Sequence, residues 1–168
     1  MKSLLGKMTI IPLITLFFFI FICPKVSAFE VDGFKSGMTK EEVRRLLKSY
    51  HFDKIEDKEG GIYAYDIPID RTHRSYGLFF YDDKLVLLHK NFPPSIKKFI
   101  FLFDRFSALY GKPFDSNSEV RIESHGESRR IIFYWSKMGE IVSLHYIVFP
   151  NNDDLHVIYE IEKREKSR

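Results

Sequence analysis

Six histidines, His51, His73, His89, His125, His145 and His156, are the side chains of this 168-residue sequence best suited to proton transfer or metal ligation near neutral pH. No two of them share a ligand-type spacing such as H-x-x-x-H, so the spacing assigns no metal site. His145 and His156 fall on neighbouring predicted strands. A hairpin turning at 150–154 sets His145 opposite Tyr159, so the two histidines are not expected to pair directly. Ser124-His125-Gly126-Glu127-Ser128 holds a nucleophile and a base, but it lacks the glycine pattern of a nucleophile elbow and lies between two predicted strands. It reads as a hairpin turn. Asn151-Asn152-Asp153-Asp154 lacks the alternation and distal glutamate of a calcium loop. Arg71, His73 and Arg74 form a small basic cluster that reads as a solvated loop. No catalytic residue, metal or cofactor is assigned. An exported hydrolase using His125 or His145 as base requires that histidine to converge with a carboxylate or hydroxyl in one cleft.

The aromatic residues carry more information. Ser75–Tyr81 and Lys84–Lys90 read as a hairpin across Asp82-Asp83. That turn sets Phe80 opposite Leu85 and Leu78 opposite Leu87 on one side, with Phe79, Val86, Tyr81 and Lys84 on the other. A half-solvated antiparallel sheet alternates apolar with polar residues, and these strands are apolar or aromatic on both faces. The second face therefore needs a cover: the other half of the chain, a partner protein, or an apolar ligand. Tyr63, Tyr65, Phe79 and Tyr81 are the candidate binding residues, since tyrosines are enriched in contact surfaces.

The elements that position them are legible. Thr39 and Glu42 form a capping box that starts a helix over 39–49, with Val43, Leu46, Leu47 and Tyr50 as its buried stripe. Strands follow at 54–56, 62–67, 75–81 and 84–90. Phe92-Pro93-Pro94 separates two halves, about 29–91 and 92–162. Ser95 caps a second helix over 96–110, and Gly111 and Pro113 end it. Its stripe is Ile96, Phe99, Phe103, Phe106 and Tyr110, widened by Leu102 and Leu109. Further strands are expected at 119–123, 129–135, 141–149 and 155–161, and 163–168 is a charged tail. The expected order is helix, three strands, helix, four strands. It implies an α+β fold, with two helices packed on one face of an antiparallel sheet and two similar halves.

Residues 1–28 have the three parts of a secretory signal. Lys2 and Lys7 give the basic end, Ile10–Ile22 the apolar run, and Val26-Ser27-Ala28 the cleavage site, with Phe29 as first mature residue. The apolar run is shorter than the roughly 20 residues of a membrane span, so the mature form is not expected to span a membrane. Cys23, the single cysteine, follows Ile20-Phe21-Ile22 rather than a small residue and reads as part of the leader. The mature chain then has no disulfide and no thiolate chemistry. Lys2, Lys7 and Lys25 carry the entire formal charge of +3. A neutral mature domain gives no electrostatic argument for nucleic acid. The expected location is the periplasm or the medium.

Gly37-Met38-Thr39-Lys40-Glu41-Glu42-Val43, followed by Leu46-Leu47, resembles the G-M-T-x-E-x-V helix start of small exported bacterial proteins. These are outer-membrane-assembly lipoproteins of the SmpA/OmlA type and relatives with the β-lactamase-inhibitor-like fold. Leu109-Tyr110-Gly111-Lys112-Pro113 is similar to a helix ending of such modules. The resemblance implies helices layered on an antiparallel sheet and an exported interaction module, and it carries over no catalytic residues. Two other functions stand beside a binding or scaffold protein of the cell envelope: a carrier of a small apolar ligand, and the hydrolase above.

Overall fold

The computed structural model describes residues 28–58, 60–66, 75–123 and 126–162. Two short strands, β1 (Glu30–Val31) and β2 (Phe34–Lys35), pair around Asp32-Gly33. Both turn residues have positive φ, +49° and +78°, as a two-residue hairpin of matched twist demands. Helix α1 (Lys40–Ser49) follows, with β3 (Lys54–Lys58), β4 (Gly61–Tyr65), β5 (Ser75–Tyr81) and β6 (Lys84–Phe92). Helix α2 (Ile96–Tyr110) then precedes β7 (Asp115–Glu123), β8 (Gly126–Lys137), β9 (Glu140–Val148) and β10 (Asp153–Ile161). Strands β3 to β6 fall on the four strand positions read from the sequence, one more than the expected order of helix and three strands counts, so each half holds a helix followed by a four-stranded meander.

The strands form one antiparallel sheet in the order β3-β4-β5-β6-β10-β9-β8-β7. The two meanders thus join edge to edge through their last strands, β6 and β10. The sheet is larger relative to the helices than the sequence suggests. The second half extends the sheet sideways.

Both helices start where their caps dictate. Thr39 Oγ1 accepts from the Glu42 N–H at 3.2 Å, and the Glu42 carboxylate accepts from the Thr39 N–H at 2.7 Å. Ser95 Oγ accepts from the Lys98 N–H at 3.3 Å, and Gly111 ends α2 at φ +89°. Val43 and Leu47 of α1 and Phe99, Leu102 and Phe106 of α2 are buried in one core. The sheet contributes Ile62, Leu78, Leu88, Trp135, Leu144 and Val157 to it. Each such side chain stabilises the fold by roughly 1.5–3 kcal/mol. Phe29, the residue after the expected cleavage position, is 2% exposed in the same core. Ile96 and Leu109, predicted for the α2 stripe, are more than half exposed, because the buried arc centres on Phe99, Leu102 and Phe106.

One register differs from expectation in a way that matters below. Phe80 pairs with Leu85, as predicted, but Leu78 pairs with Leu88 and Phe79 with Leu87. A β-bulge takes up the extra residue on β6. It sends Leu88 to the helix side and Leu87, His89 and Asn91 to the other.

Candidate functional site

No described helix lies on the face of the sheet opposite the core. Its side chains fall in two cross-strand rows, read directly from the pairing. One row runs Glu56, Tyr63, Gly77, His89, Ile158, Ser143, Tyr134, Asp115; the next runs Lys54, Tyr65, Ser75, Asn91, His156, His145, Ile132, Asn117. The aromatic groups cluster at the first-half end, and imidazoles occupy the seam where the halves meet.

Of the predicted binding residues, Tyr63, Tyr65, Phe79 and Tyr81 share this face, but they are not equally available. Tyr81 stands at the hairpin end and is 71% exposed. Tyr63 and Phe79 are half-buried and meet edge to face, centroids 5.6 Å apart. Tyr65 is buried, with Lys54 Nζ on the edge strand 5.7 Å from its ring centre. The β3 edge alternates Lys54, Glu56 and Lys58, whose ion pairs blunt it against further strand pairing. Those pairs hold the Glu56 carboxyl down at about 2, through hydrogen bonds from Lys54, Tyr65 and Lys58.

The structure adds a feature that the sequence reading placed wrongly. His145 lies directly opposite His156, because the β9–β10 loop spans only Phe149–Asn152, closed by Phe149 N–H donating to Asn152 O at 3.0 Å. The expected partner Tyr159 instead opposes Val142. His89, on β6, reaches His156 from the other side. The ring centroids of His89 and His156 are 4.5 Å apart, and those of His156 and His145 are also 4.5 Å apart, the latter pair stacked within 22°. Three imidazoles therefore sit side by side on adjacent strands.

Their electrostatics follow from that crowding. Burial pushes His89 down to about 4 and His145 down to about 3, and the His156 ring beside each lowers them further. Asp154 Oδ2 lies 3.1 Å from His156 Nδ1, and Ser143 Oγ lies 2.8 Å from His145 Nε2. These are two separate pairs. The stacked His145 and His156 rings present faces, not nitrogens, to one another, so no hydrogen bond passes directly between the two rings. Ser143 is 6% exposed, and a His145 that protonates only near pH 3 is a poor base at neutral pH. The set orders a surface and does not make a nucleophile–base relay. Among the described residues no group of histidines and carboxylates is arranged to hold a metal. His125, the other histidine weighed as a base, lies outside the described residues, as do His73 and the basic loop around it.

A shallow depression of about 300 Å³ opens on this face beside His89, lined by Tyr63, Tyr65, Ser75, Gly77 and Asn91 among others. A second, of about 270 Å³, lies on the helix side between Asp32 and Arg105. There the Asp32 carboxylate accepts from Tyr76 and Lys90 and fixes the β1–β2 hairpin to the sheet. No described helix is long and apolar enough to cross a membrane.

No protein-family model matches the chain, and no curated protein or solved structure gives a significant match. What defines the protein is therefore its own architecture: an α+β domain with helices on one side of a broad antiparallel sheet.

Proposed function

We propose that this chain is an exported, non-enzymatic binding protein of the cell envelope that holds its ligand on the helix-free face of the sheet. The observation that carries the proposal is the composition of that face. It is uncovered by either helix, and between its charged edge strands it bears Tyr63, Phe79, Tyr81 and Tyr134 around a row of histidines. Export is supported by the signal-like residues 1–28. Helices layered on an antiparallel sheet are also what the resemblance to the SmpA/OmlA-type assembly proteins implies. A carrier of an apolar molecule is less well supported, because the depression on this face is shallow and does not enclose a ligand.

The test is retention of envelope material by the immobilised protein. Replacing Tyr63 and Tyr81 with serine should abolish retention, while Phe101→Ser on the outer face of α2 should leave it intact. Circular dichroism confirms folding of each variant. Equal retention by all three proteins refutes the proposal.

A further inference from the structure

The open face also carries chemistry specific enough to name a ligand class. We infer that the depression bounded by Tyr63, Tyr65, Ser75, Gly77, His89 and Asn91 is a binding site for a neutral sugar ring. The inference rests on the open-face reading and specifies what that face recognises.

The volume, about 300 Å³, lies at the lower end of small-molecule sites. Aromatic rings pack over Gly77, where a Cβ would stand 3.1 Å from the Phe79 ring and 3.5 Å from the Tyr63 ring, and so wall one end of the depression. One end of the depression is thus aromatic. The other is polar and incompletely paired. Asn91 Nδ2 donates to Ser75 Oγ at 2.7 Å, but Asn91 Oδ1 and His89 Nε2 are buried with no hydrogen-bond partner. Unpaired buried groups are costly, so each points to a missing partner. Both atoms are closed off as the side chains stand, and rotation about their broad terminal torsions, which for Asn91 gives up the Ser75 bond, brings them to a ligand.

These features select among ligands. A purely apolar molecule leaves both polar atoms unpaired. Among the described lining residues the one cation, Lys58, is already held by Glu56 at 3.1 Å and lies over the Tyr63 ring. A neutral sugar satisfies both ends. Its hydroxyls donate to Asn91 Oδ1 and pair with His89 Nε2, and its C–H groups pack against the aromatic wall, whose Tyr63 and Tyr65 rings carry Lys58 and Lys54 over one face.

The experiment is an amide NMR titration of the purified protein with maltotriose, cellotriose and chitotriose. Glucuronate and cyclohexanol serve as charged and apolar comparisons. At least one trisaccharide should shift the amides of Gly77, His89 and Asn91, with a dissociation constant of roughly millimolar size, and neither comparison should. Asn91→Leu should weaken binding at least about tenfold, the scale of one lost buried hydrogen bond. His89→Phe provides a second variant if the first fails to fold. The inference is overturned if all three sugars leave those amides unmoved, or if cyclohexanol or glucuronate occupies the site instead. Sugar failure with envelope retention still lost in the tyrosine variants overturns the ligand class alone. Failure of both experiments overturns the open-face reading as well.

Discussion

The histidine row makes the stability of this domain depend on pH with a sign that two substitutions reverse. In the fold His89 and His145 are held neutral, with protonation depressed to about 4 and about 3. In the unfolded chain each protonates near pH 6.5. Their stabilisation is therefore intact above pH 6.5 and is lost as pH falls toward the folded values. Each group contributes a slope of about 1.4 kcal/mol per pH unit, so the pair gives about 2.7. Glu140 works the other way. Its carboxyl is raised to about 7 by burial, although the hydrogen bond from Tyr110 at 3.1 Å lowers it, so it is protonated in the fold where the unfolded chain would ionise. Stability from Glu140 is therefore regained as pH falls from 7 toward 4.5, by about 1.4 kcal/mol per unit. Between pH 6.5 and 4.5 these three groups leave a net loss of about 1.4 kcal/mol per unit on acidification. That is large against a total of about 5–15 kcal/mol. The assay is urea unfolding at half-unit pH steps, followed by the fluorescence of Trp135, the single tryptophan, which is fully buried. The double variant His89→Asn, His145→Asn should reverse the slope in this window, and Glu140→Gln should about double it. Identical slopes in all three proteins would refute the histidine account.

Three further outcomes follow from local geometry. Thr39→Ala removes the α1 capping box and should cost about 1 kcal/mol in urea unfolding; no change would show that the cap contributes nothing. Gly33→Ala places a side chain at φ +78°, with its Cβ 3.2 Å from the Tyr50 hydroxyl, and should destabilise by about 1–2 kcal/mol in the same assay. Leu88→Ala should cost about 2–5 kcal/mol, whereas Leu87→Ala, on the open face, should cost markedly less. Equal costs would contradict the bulge that separates the two positions.

What the sequence showed, and what it hid, divides along the distance between interacting residues. Both helices were legible because their signals are local: Thr39 with Glu42, and Ser95 with Gly111. The hairpin across Asp82-Asp83 was legible for the same reason, and both residues adopt positive φ. The face of Tyr63, Tyr65, Phe79 and Tyr81 followed from the two-residue period of a strand. The bulge was hidden, because Val86, Leu87 and Leu88 are alike in hydrophobicity and nothing in their order marks which one is extra. Strand β7 begins at Asp115 instead of 119, since the polar Asp115-Ser116-Asn117-Ser118 pairs only with β8 at the sheet edge and has no strand-like composition. The histidine row was missed for two reasons. The β9–β10 loop is shorter than its polar letters suggest, and a register error in one hairpin displaces every pair along it. The pairing of β6 with β10 joins residues far apart in the chain, 69 positions in the case of His89 with Ile158, and no local pattern encodes it.

The central claim, that the helix-free sheet face is where this protein meets its ligand, is tested most directly by hydroxyl-radical footprinting of the purified protein with and without envelope extract. Tyr63, Phe79, Tyr81 and Tyr134 should oxidise readily in the free protein and become protected on addition of extract, while Ile100 and Phe101 on α2 keep their reactivity. Protection confined to α2, or unchanged labelling of all four aromatic residues, would contradict it.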